Sequence, residues 1–314
     1  MIGGAEPVWV LADPRAGTAA QAIGIAERLG LPFRTVPLAW GALARLPLGW
    51  PTLIGLSAAS RAAFRPPWPR LVVSAGRRSA PVALWLGRRG ARVVHCMRAP
   101  GSGGVDLQVV GAHDRVPPAP NRLEILGAAH RISPTRLAEA REHFAGLADL
   151  PSPRVALLLG GPVRGEGLDP GIAAALGRQV AGFAGSVMAT ASRRTGPAAT
   201  QALAESLKPI PHRLHAWGSA DENPLLGFMA WADVMVVSGD SVSMLSEALV
   251  TPAPLFIAPL GDEGPRHRAL HDSLYAAGQA RPIADAPTPF AREPQDEVAR
   301  IVAAIRARGL LTDG

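Results

Sequence analysis

The chain has 314 residues, 48% of them hydrophobic, and its 32 basic residues outnumber 25 acidic residues to give a net charge of +7. This hydrophobic content excludes a disordered chain, and at roughly 100–200 residues per domain the length predicts two domains. Lys208 is the only lysine and it precedes a proline, which excludes a P-loop and the phosphoryl transfer that depends on one.

The first half of the chain alternates short apolar segments with helical segments. Apolar runs predict strands at residues 8–12, 33–38, 71–74, 92–96 and 107–110. Hydrophobic periodicity and capping signals predict helices at residues 19–29, from 80 to about 89, and at 134–147.

The same alternation restarts after Pro151-Ser152-Pro153. Strands are predicted at residues 154–159, 186–191, 214–217, 234–237 and 255–258, and helices at 170–183, 224–231, 242–249, 266–277 and 296–308. This order indicates parallel, doubly wound sheets with sites at the carboxyl ends of the strands. We therefore expect an α/β fold of two Rossmann-like domains that face a cleft. The expected domains are residues 1–150 and 151–290, with a helix in 291–314 able to pack back on the first.

Several other classes of protein lack their sequence signals. Cys96 is the only cysteine, which excludes an intrachain disulfide and a cysteine-based zinc site. His267 and His271 are spaced as on one helix face but have no third ligand, so no metal is expected. The chain contains no GxSxG or GxGxxG motif. With no signal-peptide pattern and no apolar run of ~18 residues, we expect a cytoplasmic protein.

The positive charge is concentrated in the first half. Residues 1–150 contain 18 basic and 9 acidic residues, and residues 28–105 contain twelve arginines and no acid. The tryptophans in that stretch are Trp40, Trp50, Trp68 and Trp85. Apolar sequence with tryptophans and arginines suits the surface of an anionic bilayer, so peripheral contact with the inner face of the membrane is one expectation. The alternative is a domain with core tryptophans and solvated arginines; with no nucleic-acid-binding motif visible, no nucleic-acid partner is expected.

Residues 232–248 form the most specific segment, in which an apolar strand ends in a small polar turn and enters a helix. The residues of that turn expected to face a ligand are Ser238, Asp240, Ser241 and Ser243. The start of a helix offers unpaired N–H groups that can bind a diphosphate. Glu247 on the same helix can then accept hydrogen bonds from a ribose. The alternative is that Ser241 caps the helix and Glu247 is solvated.

Other turns of the second half offer further ligand contacts. Ser192, Arg193 and Arg194 follow a predicted strand, and the two arginines can clamp a diphosphate or form a solvated pair. Gly161 follows the first strand of this half. Asn223 precedes a helix, which it can cap, or it can contact a base or phosphate.

Two candidates for a catalytic base lie in the first half. Asp13 follows a strand and precedes a glycine-containing turn, which places a carboxylate that can act as a general base at the edge of the expected cleft. His113, followed by Asp114, is the rival because the reference pKa of histidine suits proton transfer better. The alternative for His113 is a histidine that only caps a loop.

The first half also contains a candidate acceptor site or second anion site. The segment that follows Asp13 can shape a loop and contact an acceptor through Arg15, Gly17 and Gln21. The turn between a strand and a helix made by Gly76, Arg77, Arg78 and Ser79 predicts an anion site, which suits a phosphorylated acceptor.

These motifs resemble those of known families. Residues 232–248 resemble the nucleotide-sugar motif of GT-B glycosyltransferases, including the peptidoglycan enzyme that adds N-acetylglucosamine to a lipid-linked acceptor. Nearly the whole chain resembles the mitochondrial fission, or elongated-mitochondria, family in its alphaproteobacterial form. The segments that carry this second resemblance are Asp13–Gly17 with Gln21, Gly76–Ser79, His113-Asp114, Gly160-Gly161, Ser192–Thr195, Asn223-Pro224 and Gly239–Ala248. The chain departs from that pattern at Leu225, where an aromatic residue is common, and at Gly239, where threonine is common.

The resemblance implies a GT-B-like, metal-independent glycosyltransferase. The second half would bind a nucleotide-diphosphate sugar, UDP-linked, as donor substrate, with Glu247 on the ribose and no permanently bound cofactor. The first half would bind a lipid-linked or membrane-proximal acceptor, with Asp13 or His113 as the base. The alternatives are a sugar-nucleotide epimerase on the same fold and a non-catalytic membrane adaptor of the fission type.

Overall fold

The computed structural model describes residues 7–98, 101, 104–162, 167–261 and 263–311. In chain order, its strands are β1 (Val8–Ala12), β2 (Phe33–Pro37), β3 (Leu71–Ala75), β4 (Arg92–Cys96), β5 (Leu107–Gly111), β6 (Arg122–Ile125), β7 (Arg154–Leu159), β8 (Ser186–Ala191), β9 (His212–His215), β10 (Val234–Ser238), β11 (Leu255–Ala258) and β12 (Arg281–Pro282). Its α-helices are α1 (Ala16–Leu29), α2 (Ala58–Arg61), α3 (Ala80–Gly87), α4 (Pro134–His143), α5 (Pro170–Ala181), α6 (Pro197–Leu207), α7 (Leu225–Trp231), α8 (Val242–Ala248), α9 (Pro265–Ala276) and α10 (Glu297–Ala307). Short 3₁₀ helices span Ala42–Arg45, Ala112–Asp114 and Ala145–Asp149.

The chain forms two compact units. Unit 1 combines the residues up to Arg131 with those from Asp296 onward, and unit 2 runs from Ile132 to Gln295. The division therefore differs from the boundary expected at residue 150. The cause is α4, which packs on α7 within unit 2, where the Arg141 side chain donates to the carbonyl of Ala230 at 2.5 Å.

Unit 1 is built on a parallel six-stranded sheet with the order β2-β1-β3-β4-β5-β6. Its central strands are nearly continuous apolar runs because both faces of the sheet are covered. On one face, Ile25 of α1 and Ile301 of α10 are fully buried in the same core as Val73 of β3. The helix in 291–314 thus belongs to unit 1.

The other face of this sheet carries an aromatic core. Trp9, Phe64, Trp68 and Trp85 pack edge to face, with ring centroids 5.5–6.4 Å apart. Trp68 and Trp85 are therefore partly buried and pack against the core, which favours the alternative interpretation of the tryptophan-rich stretch. Of the four tryptophans in that stretch, Trp50 is the one that is largely exposed, at 58%.

Many arginines of the acid-free stretch contact aromatic rings or distant acids. The guanidinium of Arg89 lies 3.2 Å from the ring centroid of Trp85, and that of Arg34 lies 5.0 Å from the ring centroid of Trp9. Such contacts are attractive because the ring face carries partial negative charge. Arg28 pairs with Asp296 and Arg92 with Asp106, acids that lie outside the stretch. Aromatic rings thus provide some of the attractive contacts that acidic side chains would otherwise provide to these arginines.

Unit 2 is built on a second parallel sheet with the order β12-β11-β10-β7-β8-β9. The chain leaves β7 toward β8 on one side and later returns to β10 on the other, so the carboxyl ends of β7 and β10 flank the topological switch point where such sheets bind ligands. The fold class predicted from the sequence, α/β with two Rossmann-like halves, is confirmed. Within the described ranges, no helix has both the length and the apolar character needed to cross a bilayer.

Candidate functional site

Three turns meet at the carboxyl edge of the unit 2 sheet. They are Gly160-Gly161 after β7, the segment Ser192–Thr195 after β8 and the segment Gly239–Ser241 after β10. Because β10, β7 and β8 are neighbouring parallel strands, their carboxyl ends lie side by side. The fold thus brings together the main strand-end motifs predicted from this half of the sequence.

Asp240 connects the three turns through its carboxylate. One oxygen accepts the hydroxyl of Ser238 at 2.7 Å, and the other accepts the N–H of Gly161 at 2.9 Å and pairs with Arg194 Nη1 at 2.9 Å. Arg194 also donates to the carbonyl of Gly161 at 2.6 Å. Asp240 is only 5% exposed, so its charge is balanced inside the protein. Asp240 and Arg194 therefore fix the turns, and the prediction that both face a ligand stays untested.

Thr195 and Gly160 support this arrangement and were not predicted as site residues. The Thr195 hydroxyl donates to the carbonyl of Gly160 at 2.5 Å and accepts the N–H of Ser192 at 2.9 Å. A Cβ at Gly160 would overlap the Asp240 carboxylate, and one at Gly161 would overlap the carbonyl of Arg194. The close approach of the turns explains why glycine occupies both positions.

Arg193 differs from its neighbour Arg194. Its side chain is exposed and forms no ion pair with any residue that the structure describes. Together with Ser192 it lines a cavity of about 370 Å³ between α6 and β9, whose other walls include Thr200, Leu214 and Trp217. Trp217 is 68% exposed although it is one of the largest apolar side chains. The predicted strand at 214–217 included Trp217, but β9 ends at His215 and leaves Trp217 in the following turn.

The Ser241 hydroxyl accepts the N–H of Met244 at 3.3 Å and so caps α8, as the alternative interpretation holds. Glu247 lies in the second turn of α8 and is half-buried, as is Ser243. Its carboxylate makes no hydrogen bond or ion pair within the described part of the chain. Burial raises the pKa of Glu247 to about 7. An acid in this state gains from any ligand that donates hydrogen bonds to it.

One hydrogen bond from a histidine fixes the turn that follows β10. His271 of α9 donates from Nε2 to the carbonyl of Gly239 at 2.8 Å, and a Cβ at Gly239 would lie 2.7 Å from the His271 ring. Burial is the main cause that lowers the pKa of nearby His267. In the ranges given above, no group of three histidine, cysteine or acidic side chains could hold a metal ion. Packing against the turn therefore accounts for His271.

Arg292 secures the far end of α8 and was not predicted as functional. Its guanidinium is buried and donates to the carbonyls of Ala248 at 2.8 Å and Ala253 at 2.7 Å, and to Thr251 and Gln279 at 3.0 and 3.2 Å. Burial lowers its pKa to about 10. Because these bonds close the carboxyl end of the helix, they hold the turn that carries Glu247.

Asn223 has a local role at the start of α7. Its side-chain oxygen accepts the N–H of Leu225 at 3.0 Å, and the residue is exposed. Pro224 is the N-cap residue of α7, so this bond closes a turn just before the helix and leaves the side-chain NH₂ group for another partner.

Asp13 lies at the carboxyl edge of the unit 1 sheet. It is 7% exposed, and its two oxygens accept the backbone N–H of Arg15 at 2.9 Å and the indole N–H of Trp40 at 3.1 Å. The neighbouring candidates Gly17 and Gln21 lie in the first turns of α1. Two hydrogen bonds hold the Asp13 carboxylate in one orientation but leave each oxygen a second lone pair.

A cavity of about 380 Å³ opens beside Asp13. Its walls include Asp13, Arg15, Thr18, Arg45, Gly76, Arg77 and Arg78. Gly76 has a φ of +89°, a conformation that favours glycine. Ser79 is buried and donates to the carbonyl of Ala75 at 2.6 Å, so it fixes the turn. Of the predicted second anion site, the arginines line the cavity and Ser79 supports them.

His113 is buried within the 3₁₀ helix that follows β5. Its side chain is 1% exposed, and Nε2 lies 3.8 Å from the carboxylate of Asp114. A Cβ at Gly111 would overlap its ring. Tight packing against this glycine limits the access of a substrate to His113, whereas Asp13 lines a cavity.

Several solved structures have a fold similar to that of this chain. Os79 from Oryza sativa, in complex with U2F and trichothecene, has a TM-score of 0.56 at 14% identity over 97% of this chain and 93% of that one. The UDP-GlcNAc 2-epimerase from Neisseria meningitidis, bound to UDP-GlcNAc, has a TM-score of 0.52 at 13% identity over 97% and 92%. MurG from Acinetobacter baumannii has a TM-score of 0.50 at 12% identity over 97% and 92%. The chain has the fold of GT-B glycosyltransferases and related epimerases.

The amino-acid sequence also assigns the chain to a family. Residues 16–309 match the model of the Mitochondrial fission ELM1 family, and the chain belongs to this family. The mitochondrial fission protein ELM1 of Arabidopsis thaliana is 31% identical over 147 residues, which are 46% of this chain and 34% of the plant protein. The matched region spans about a third of the length of that relative.

Proposed function

We propose that unit 2 binds a nucleoside-diphosphate sugar and that the chain is a metal-independent glycosyltransferase. The observation that carries the proposal is Glu247, a half-buried carboxylate with a pKa of about 7 and no partner in the described part of the chain. The two hydroxyls of a ribose would donate to it and supply the hydrogen bonds that it lacks. The complexes of the Oryza and Neisseria proteins, which contain U2F and UDP-GlcNAc, support a UDP-linked donor.

Other residues of unit 2 fit the rest of such a donor. Arg193, exposed and unpaired within the described ranges, would contact the diphosphate, together with the hydroxyls of Ser192 and Ser243. The cavity of about 370 Å³ would take the nucleobase, with Trp217 stacked on its face. Base stacking on an aromatic side chain contributes roughly 1–3 kcal/mol. Asp240 and Arg194 would position these groups without touching the donor.

Transfer would need an acceptor, which we assign to unit 1. Asp13 is the better candidate for the base because it lines a cavity, while His113 is tightly buried. The base would take the proton of an acceptor hydroxyl as its oxygen bonds to the anomeric carbon of the sugar. The bond from that carbon to the diphosphate would break, and Arg193 would balance the charge on the leaving diphosphate.

Two alternatives share the fold. An epimerase would turn over UDP-N-acetylglucosamine without an acceptor, and the fold of the Neisseria protein favours testing it. An adaptor without enzymatic activity would bind no nucleotide, and membership of the fission family favours testing that. Incubation with UDP-N-acetylglucosamine alone separates the epimerase from the transferase, because a transferase leaves the sugar configuration at C2 unchanged.

A thermal-shift screen tests the proposal directly. UDP, GDP, CMP and their sugars would be added to the wild type, to Glu247→Ala and to Glu139→Ala, whose glutamate is exposed on α4. We expect uridine nucleotides to raise the unfolding temperature of the wild type and Glu139→Ala but not of Glu247→Ala. Protection by no nucleotide would contradict the proposal and favour the adaptor.

A further inference from the structure

We infer that the cavity of unit 1 beside Asp13 binds the phosphorylated headgroup of a membrane lipid, and that the loop of residues 43–54 contacts the bilayer around it. The inference rests on the proposed function only in assigning the acceptor side to unit 1. Its chemistry and its test are independent of the donor site in unit 2.

The wall of this cavity carries an excess of positive charge. Arg15, Arg45, Arg77 and Arg78 line it, and Asp13 is the one acid among the lining residues. The Asp13 carboxylate accepts an N–H of the backbone and an N–H of Trp40, so neither oxygen is paired with a guanidinium. Across the part of the chain that the structure describes, the four arginines form no ion pair. Four guanidinium groups around one cavity fit a phosphomonoester or diphosphate.

One of these arginines, Arg78, is restrained by an aromatic ring. The guanidinium of Arg78 lies 5.3 Å from the ring centroid of Trp40, and the indole N–H of Trp40 is bonded to Asp13. This chain of contacts restrains Arg78 toward the cavity without using its hydrogen-bond donors. A guanidinium restrained by an aromatic ring loses less conformational entropy when it binds an anion.

An exposed apolar surface accompanies the charged cavity. A loop closed by the bridge between Trp40 and Leu56 carries four large exposed apolar side chains, at Leu43, Leu46, Trp50 and Ile54. Grouped exposed apolar residues of this size mark an interaction surface. A soluble phosphate would make no use of them, whereas a bilayer would.

The charged cavity and a neighbouring crevice share two residues. Arg77 and Arg78 line both the charged cavity and a narrow crevice whose other walls include Leu46, Leu48 and Pro81. The charged cavity and the exposed side chain of Leu46 therefore belong to one continuous surface. That pairing is the chemistry of a lipid with a phosphate headgroup, and it favours a membrane lipid over a free phosphate.

Flotation with lipid vesicles tests the inference. The full chain would be mixed with phosphatidylcholine vesicles with or without phosphatidic acid, whose headgroup is a phosphomonoester. Two double variants test the two halves of the surface, Arg77→Ala with Arg78→Ala and Leu46→Ser with Trp50→Ser. The matched controls are Arg178→Ala with Arg213→Ala and the single change Ile172→Ser, at exposed positions of unit 2.

We expect the wild type and the controls to float with vesicles that contain phosphatidic acid, and both test variants to partition roughly tenfold more weakly. Wild type that stays unbound at low salt, or test variants that float like the wild type, would overturn the inference. Binding of inorganic pyrophosphate without flotation would show a soluble phosphate site and would also overturn it. UDP binding, measured on the same samples by calorimetry, separates this failure from a failure of the donor proposal.

Discussion

The arginine pairs at the strand ends of the two units have different environments. In unit 2, Arg194 is paired with Asp240 and bonded to the carbonyl of Gly161. In unit 1, Arg77 and Arg78 line a cavity whose one acid is bonded to N–H groups of the backbone and of a tryptophan. The same motif, two arginines after a parallel strand, therefore stabilises a turn in one unit and leaves charge available in the other.

The difference depends on where an acid is placed. Asp240 is buried and reaches three strand-end turns, so removing its charge would leave a cation without its partner. In unit 1 no such acid reaches the arginines within the described ranges. An arginine at a strand end is thus a candidate ligand only after its internal partners are known.

Asp240→Asn should destabilise unit 2 most strongly. It removes the charge that balances Arg194 in a buried network, which costs about 3 kcal/mol. The unfolding temperature should fall by about 6–12 °C, measured by calorimetry without ligand. Asp221→Asn, the same change at an exposed position, should leave it nearly unchanged. Equal unfolding temperatures for the two variants would show that the network does not hold the turns.

Glu247→Ala should weaken UDP binding with little change in fold. Losing hydrogen bonds to a charged acceptor costs about 2 kcal/mol, or roughly thirtyfold in affinity. Calorimetric titration with UDP measures it, and Glu139→Ala is the matched control on an exposed helix. Unchanged affinity in Glu247→Ala would remove Glu247 from the site.

UDP binding should also depend on pH through Glu247. Its pKa is raised to about 7, so the carboxylate that accepts ribose hydroxyls is lost as the pH falls through that value. From about pH 8 to about pH 6 the affinity should drop roughly tenfold. A terminal phosphate also titrates near pH 6, and Glu247→Gln isolates that contribution. Identical pH profiles for the wild type and Glu247→Gln would contradict this assignment.

Arg193→Ala should have the smallest effect of the four. An exposed arginine on a diphosphate contributes about 1 kcal/mol, or roughly fivefold in UDP affinity. Affinity for uridine, which has no phosphate, should stay the same, and the unfolding temperature should not change. If Arg193→Ala weakens uridine as much as UDP, its contact is not with the diphosphate.

The sequence predicted much of the fold because its strands are continuous apolar runs between turns. The strand β6 (Arg122–Ile125) was not predicted because its four residues mix polar and apolar side chains. The helix α6 (Pro197–Leu207) was not predicted because it follows a turn directly and has no serine or aspartate as its N-cap. The site motifs could be located because they follow strands. Their roles could not be assigned, because the pairing of Arg194 with Asp240 and the burial of Glu247 depend on contacts distant in sequence.

Trp217 and Arg292 illustrate the same limit. A lone tryptophan at the end of a predicted strand is more often core than ligand, and the 68% exposure of Trp217 is a property of the folded unit. Arg292 lies in an irregular segment, and its bonds to the carboxyl end of α8 join residues 43 and 44 positions apart. Hydrophobic patterning carries no information about such polar contacts.

Hydrogen exchange with and without UDP tests the central claim most directly, because it locates a ligand without assuming its contacts. We expect UDP to slow exchange most strongly in the unit 2 segments 192–196, 214–218 and 238–248, and we expect Glu247→Ala to lose that slowing. Exchange rates that UDP leaves unchanged in all three segments would contradict the assignment of the nucleotide site to unit 2.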